Sequence, residues 1–297
     1  MSNASPSLTR AYDRCLTIAR DHYENFPVAS GLLPAPMRPH IAAVYAFARG
    51  ADDFADEGER TERERLALLD NWRQRLHQAA QGAATTGGED DRDLIFAALA
   101  HTIRSRELPV ELFEDLLSAF RQDVTVHRYH TWAELLDYCR RSANPIGRLV
   151  LRIAGYRDPE SERAADHVCS ALQIANFLQD FQRDWQRGRL YVPEEIYEAY
   201  GAREAELGQP HLISPWRETI SDVTQRTRGL FIQGRAVCDA VRGRLKYELR
   251  ATWLGGTRIL DRLERTGYDP VVRRPTIGPA DYVPILWKML TWRSTCR

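Results

Sequence analysis

Gln173-Ile174-Ala175-Asn176-Phe177-Leu178-Gln179-Asp180-Phe181-Gln182-Arg183-Asp184 is the stretch on which the fold turns. At about 100° per residue, Gln173, Asn176, Asp180 and Asp184 fall within about 80° of one another on a helix. Ile174, Ala175, Phe177, Leu178 and Phe181 fill the neighbouring faces. A helix that is apolar on most sides and polar along one narrow stripe turns that stripe inward. A matching stripe lies more than a hundred residues earlier, in Asp52-Asp53-Phe54-Ala55-Asp56 and the turns before it. There Tyr45, Arg49, Asp52 and Asp56 span about 60°, with Asp53 at the edge.

Either aspartate pair alone reads as an ordinary solvated face, neutralised by Arg60, Arg183 or Arg187. Two matching stripes change that reading. If the faces meet, four carboxylates share one cavity and repel one another unless a cation fills it. Hard divalent ions such as Mg²⁺ take oxygen ligands and bind through carboxylates together with substrate phosphates. Arg187-Gly188-Arg189-Leu190-Tyr191 follows the second pair directly, and arginine holds phosphate oxygens bidentately. The residues therefore point to a metal-bound diphosphate.

Composition narrows the classes. The 297 residues are 43% hydrophobic and carry 41 basic and 41 acidic side chains. Zero net charge gives no global case for nucleic acid or an anionic surface. Cys15, Cys139, Cys169, Cys238 and Cys296 are scattered and form no C-x-x-C pair, which fits a reducing cytoplasm and argues against zinc or a disulfide framework. The polar stretch Met1 to Thr9 lacks an apolar signal region, and no run reaches the ~18 apolar residues of a span. A cytoplasmic protein is expected, with peripheral membrane contact and oligomeric state left open.

No convincing alternating run suggests a strand. Helices are expected after Pro36 and Pro39, after Pro109, and over Trp132–Arg141, where Thr131 and Glu134 suit a capping box. Pro145 starts another helix after Asn144, which suits a cap. Pro159 to Gln186 reads as one long helix ended by Gly188, with a new element at Pro193. Trp216 to Tyr247 and Thr252 to Arg265 read as two more, and Gln81–Asp91 and Gly201–Ser214 as loops. With no repeat or composition break, one all-α domain over residues 1–297 is expected, with about residues 1–8 flexible.

These motifs resemble those of the squalene and phytoene synthase family, the head-to-head trans-isoprenyl diphosphate synthases. Tyr45-Ala46-Phe47-Ala48-Arg49 with Asp52 and Asp56 is similar to its Y-x-F-x-R followed by D-x-x-x-D. Gln173, Asn176, Asp180 and Asp184 resemble its Q-x-x-N-x-x-x-D-x-x-x-D. Arg187 to Pro193 resembles R-G-R-x-Y-x-P. The likeness runs from about His22 to Asp269 and implies an all-α isoprenoid-synthase bundle around a central cavity. It implies that Asp52, Asp56, Asp180 and Asp184 bind Mg²⁺, about two or three ions, with Asn176 and Gln173 assisting at the second motif. His22, Arg49, Arg189 and Tyr191 would contact the diphosphate or steer its departure. Tyr45, Asp53, Tyr138 and Ala143 would complete the substrate cavity.

Two departures from the family pattern, Ala143-Asn144-Pro145-Ile146-Gly147 and Asn25-Phe26-Pro27, resemble a bacterial branch, the hydroxysqualene synthases of the hopanoid pathway. That branch converts presqualene diphosphate to hydroxysqualene by capturing the cation with water, so no NADPH is expected. Asn144 is a candidate for placing that water, although a helix cap is its simpler role. The alternatives are condensation of two farnesyl diphosphates, phytoene synthesis, a class I terpene cyclase and a silent helical binding protein. His127 and His130 read as loop or helix-start residues rather than metal ligands. Asp123 could face the cavity or pair with Arg121 or Arg128. Trp253 and Tyr247 could shield a cation but suit core packing better.

Overall fold

The structure, a computed structural model, describes residues 6–21, 32–82 and 90–293. It is all-α, as expected, and among the described residues the one β-type pairing is a bridge between Arg128 and Leu190. The helices are α1 (Pro6–Asp21), α2 (Arg38–Asp56), α3 (Glu62–Ala80), α4 (Asp91–Arg106), α5 (Val110–Thr125), α6 (Trp132–Ser142) and α7 (Asn144–Ile153). They continue as α8 (Pro159–Gln179), α9 (Phe181–Gln186), α10 (Glu194–Ala199), α11 (Ser214–Gly234), α12 (Val237–Ala240), α13 (Gly243–Arg265) and α14 (Pro279–Leu290). Pro6 to Leu8, expected to be flexible, form the first turn of α1. The residues divide into two compact units, Met1–Thr125 with Pro145–Arg157, and Val126–Asn144 with Asp158–Arg297.

In the first unit an aromatic core holds α2. Trp72 of α3 lies 4.6 Å from Phe96, 5.2 Å from Phe54 and 6.0 Å from Phe47, centroid to centroid, and its indole N–H donates to the Phe47 carbonyl at 3.2 Å. Gly50 makes room for the indole, because a Cβ there would stand 2.8 Å from Trp72. Thr61 and Glu64 close a reciprocal capping box at the start of α3. Thus the face of α2 opposite the aspartates is fixed by dense packing.

A second cluster of the same unit gives a pH prediction. The Tyr12 hydroxyl lies 2.7 Å from His101 Nδ1, 3.1 Å from His40 Nδ1 and 2.9 Å from Thr102 Oγ1. Burial lowers the His40 pKa to about 4, helped by Arg106 and His101, and burial also lowers that of His101. Burial raises Tyr12 to about 12. Below pH ~6.5 the unfolded chain takes up protons that the folded His40 refuses, so folding stability falls as pH drops from about 6.5 to about 4. The slope contributed by His40 approaches about 1.4 kcal/mol per pH unit. Urea midpoints at pH 7, 5.5 and 4.5 should decline in the wild type and decline less in His40→Gln. Parallel declines would remove His40 as the cause.

In the second unit α11 lies against α8 and α13. A Cβ on Gly234 would stand 2.6 Å from the Ala164 carbonyl oxygen and 2.8 Å from Val168 N, so only glycine permits the approach of α11 to α8. The buried hydroxyls of Thr219, Thr224 and Thr227 each donate to the carbonyl one turn back, at 2.8, 2.6 and 2.6 Å. Cys15, Cys139 and Cys238 are buried thiols whose pKa values burial raises, so they are packing residues.

Two expected helices are divided differently. Pro159–Gln186 breaks at Asp180, whose φ of −97° and ψ of 12° separate α8 from α9. The stretch read as Trp216 to Tyr247 ends at Gly234, and its last residues belong to α13, which runs unbroken through Thr252. The loop expected at Gly201–Ser214 contains a short 3₁₀ turn at Glu204–Glu206, and most of the one at Gln81–Asp91 lies outside the described residues. Thr131 caps α6 as expected, but Glu134 turns its carboxylate to His130 N at 2.8 Å instead of to Thr131.

Candidate active site

The first motif rides on the last turns of α2. Arg49 gathers its acids: Nη2 lies 2.7 Å from Asp53 Oδ1 and 2.5 Å from Glu57 Oε1, and Nη1 lies 3.4 Å from Asp52 Oδ2. Burial opposes the charge on Arg49, but Asp53, Asp52 and Glu57 outweigh it and raise the guanidinium pKa. The carboxylates of Asp52 and Asp53 are 41% and 36% exposed and Asp56 is exposed, so both motif aspartates can reach an incoming cation. Beside them opens a cavity of about 190 Å³ in the first unit. Tyr45, Arg49 and Asp52 stand on its wall, and Ile41, Val44, Phe120, Leu149 and Ile153 give it an apolar lining. Burial raises the pKa of Tyr45, so its hydroxyl keeps its proton.

The second motif straddles the break between α8 and α9. Asp180 is held by two partners: Asn176 Nδ2 donates to Oδ2 at 2.9 Å, and Arg274 donates through Nε to Oδ1 at 2.7 Å and through Nη2 to Oδ2 at 3.3 Å. Arg183 Nη1 lies 3.5 Å from the same carboxylate. The chain then turns at Gly188, whose φ of +80° suits glycine, and the Asp184 carbonyl accepts from Arg187 N and Arg189 N. That turn brings Arg189 and Tyr191 to a narrow cleft shared with Asp184, Phe177 and Ile174. Gln173 is half-buried on α8, one turn before Asn176.

Four rings gather by this cleft. Tyr191 stacks on Phe177 with centroids 3.6 Å apart, and Tyr129 and Tyr138 lie 5.8 and 6.1 Å from Tyr191. Their faces suit a cation. Tyr138 was legible from its motif, whereas nothing in the local sequence marks Tyr129 or Phe177 as site residues. Trp253 packs as expected, edge-on to the buried Phe231 at 6.2 Å and to Trp292 at 5.3 Å, whereas Tyr247 joins neither the four rings nor the core. Tyr247 is 39% exposed, and Trp253 is half-buried with its N–H donated to the Phe231 carbonyl at 2.7 Å. Arg274, 94 residues from its partner, also escapes sequence reading.

Other expectations resolve locally. Asn144 is buried, and its side-chain oxygen accepts from Ser170 Oγ at 2.9 Å, a tie to α8 in place of the expected helix cap. Ala143 is buried at the end of α6. Asp123 is buried on α5, and the surface pairs weighed for it go elsewhere: Arg121 pairs with Asp70 and Arg128 with Glu204. The His130 ring lies 2.6 Å from Glu194, which raises its pKa, and His127 is exposed in the same loop. His22 and the Asn25 segment lie outside the described residues.

No group of three or more His, Cys, Asp or Glu suited to a metal occurs among the described residues. That does not count against Mg²⁺, which binds through one or two carboxylates plus phosphate oxygens rather than in all-protein cages. Each motif offers such a donor set: paired carboxylates at Asp52 and Asp56, and Asp180, Asp184 and the Asn176 amide at the other.

Residues 19–281 match the family model described as squalene/phytoene synthase. Hydroxysqualene synthase of Zymomonas mobilis is 39% identical over 213 residues, covering 70% of this chain and 67% of that protein. The enzyme of the same name from Rhodopseudomonas palustris is 32% identical over 262 residues, covering 88% and 85%. Among solved structures, squalene synthase HpnC from Alicyclobacillus acidocaldarius is 40% identical with a TM-score of 0.82, covering 89% of this chain and 97% of that one. A dehydrosqualene synthase at 20% identity shares the fold, with a TM-score of 0.83 over 96% of this chain and 97% of that one. The chain is an enzyme of the squalene/phytoene synthase family.

Proposed function

We propose that this enzyme converts presqualene diphosphate and water into hydroxysqualene and diphosphate. The observation that carries the reading is the cavity beside α2, apolar over most of its wall and polar where Tyr45, Arg49 and Asp52 meet it. That is the shape of a prenyl diphosphate: a hydrocarbon chain ending in a polyanion. Asp52, Asp56, Asp180, Asp184 and Asn176 would hold Mg²⁺, which when bound neutralises charge on the leaving diphosphate. Arg49, Arg189 and Arg274 supply guanidinium donors to the departing oxygens, and Tyr191 a phenol. Arg274 leaves Asp180 to do so. Tyr191 and the three rings near it, Phe177, Tyr129 and Tyr138, would stabilise the allylic cation until water adds and loses a proton. His22, Gln173, Asp53, Tyr138 and Ala143 complete substrate binding within one domain spanning the chain.

The second reading is condensation of farnesyl diphosphate to presqualene diphosphate or squalene. The squalene synthase name of the relative at 40% identity favours it. Incubation of the purified enzyme with Mg²⁺ and presqualene diphosphate, without NADPH, decides between them. Hydroxysqualene identified by mass spectrometry supports water capture. Presqualene diphosphate or a C30 hydrocarbon made from farnesyl diphosphate, with presqualene diphosphate left untouched, overturns it. A cytoplasmic enzyme acting on so apolar a substrate would meet it at a membrane. No helix among the described residues is long and apolar enough to cross one.

A further inference from the structure

Helix α14 is mounted the wrong way round for a surface helix. The side that faces its neighbour α13 carries Asp281, which is fully buried. Its carboxylate accepts from Gly278 N at 2.9 Å, Arg258 Nε at 2.7 Å and Arg262 Nη2 at 2.5 Å. Those bonds, the Gly278 amide first, hold the Asp281 carboxyl far below the usual carboxylate range, so it stays ionised as the anchor. The outward side is apolar. Tyr282, Val283, Leu286, Trp287 and Leu290 are 56, 73, 51, 68 and 68% exposed. At 100° per residue they occupy an arc of about 140° with no charged residue in it. A surface helix of a water-soluble protein ordinarily presents the opposite arrangement.

We infer that this face of α14 docks on an anionic lipid bilayer. Charge chooses this occupant. Asp281 is the only acid between Asp269 and Arg293, and it is out of contact with solvent. The exposed charges of that stretch are Arg273, Lys288 and Arg293, all basic, and Arg273 follows the exposed Val272. An apolar helical face carrying tryptophan and tyrosine and edged by Lys and Arg lies in the headgroup boundary of an anionic membrane. A second copy of the chain docked symmetrically through the same face would bring like charges together. The docking assigns a surface to the membrane contact of the proposed function, but its test needs no turnover. A wrong substrate assignment would leave it standing.

The full chain is sedimented with vesicles of phosphatidylcholine alone and of phosphatidylcholine with phosphatidylglycerol. Binding to the anionic vesicles, weakened by salt, is expected. The combined Leu286→Ser, Trp287→Ser and Leu290→Ser variant should lose about tenfold or more of that affinity, since each removes apolar burial. Arg273→Glu with Lys288→Glu, which alters only exposed charges, should bind more weakly and lose the preference for anionic lipid. Circular dichroism melts confirm that each variant is folded. Absence of wild-type binding would overturn the inference. So would retained binding in the charge variant, or a wild-type dimer that the serine variant dissolves without any vesicle association.

Discussion

Asp52→Asn and Asp180→Asn should each slow Mg²⁺-dependent release of diphosphate from presqualene diphosphate by about 10²–10³-fold, the cost of losing one preorganised group that stabilises developing charge. Asparagine keeps the shape and removes the charge. Both side chains are partly exposed, at 41% and 20%, and neither helix depends on them for its core, so circular dichroism should match the wild type. The two positions differ in what substitution leaves behind. Arg49 keeps Asp53 and Glu57 when Asp52 is neutralised. Arg274 pairs with Asp180 and with no other acid among the described residues, so Asp180→Asn should also raise the affinity for inorganic diphosphate in the absence of Mg²⁺. Wild-type rates in a folded double variant would sink the metal assignment at both motifs.

Gly234→Ala should destabilise the fold by about 3 kcal/mol or more, at the upper end of overpacking, because the obstruction is backbone rather than a pliable side chain. The new methyl would meet the Ala164 carbonyl and Val168 N, so α11 and α8 must part. Gly229→Ala, five residues earlier on the same helix, is the control. Nothing lies within 4 Å of its added Cβ, and alanine there should be neutral or stabilise by about 0.5–1 kcal/mol through helix propensity. Urea denaturation separates the two. Equal midpoints would mean that the helices have slack the distances deny.

The all-α class was legible because the apolar residues recur at helical rather than alternating spacing, and the motifs because i,i+3 and i,i+4 offsets survive as faces. The helix breaks were not. Asp180 sits mid-pattern with no proline or glycine beside it. Gly234 and Gly243 do bracket the break after α11, yet Gly255 and Gly256 stand inside an unbroken α13. Glycine alone therefore does not mark a helix end. Tyr129 and Phe177, 48 positions apart, and Arg274 with Asp180, 94 apart, are joined by tertiary folding, which local spacing does not encode. The buried Asp281 had no sequence signal beyond a capping position, and its two arginines lie a helix away.

The joint at Asp180 makes the two motifs mechanically unequal. On α2 the aspartates share one rod, so their separation is set by helical pitch. At the second motif Asp180 ends one rod and Asp184 belongs to a six-residue piece too short to persist alone, kept in place by Phe181 against Trp216 and by the amides that close on the Asp184 carbonyl. The first spacing is therefore a property of one helix, whereas the second depends on the tertiary contacts that seat α9, so loss of the Trp216 ring would be felt at Asp184.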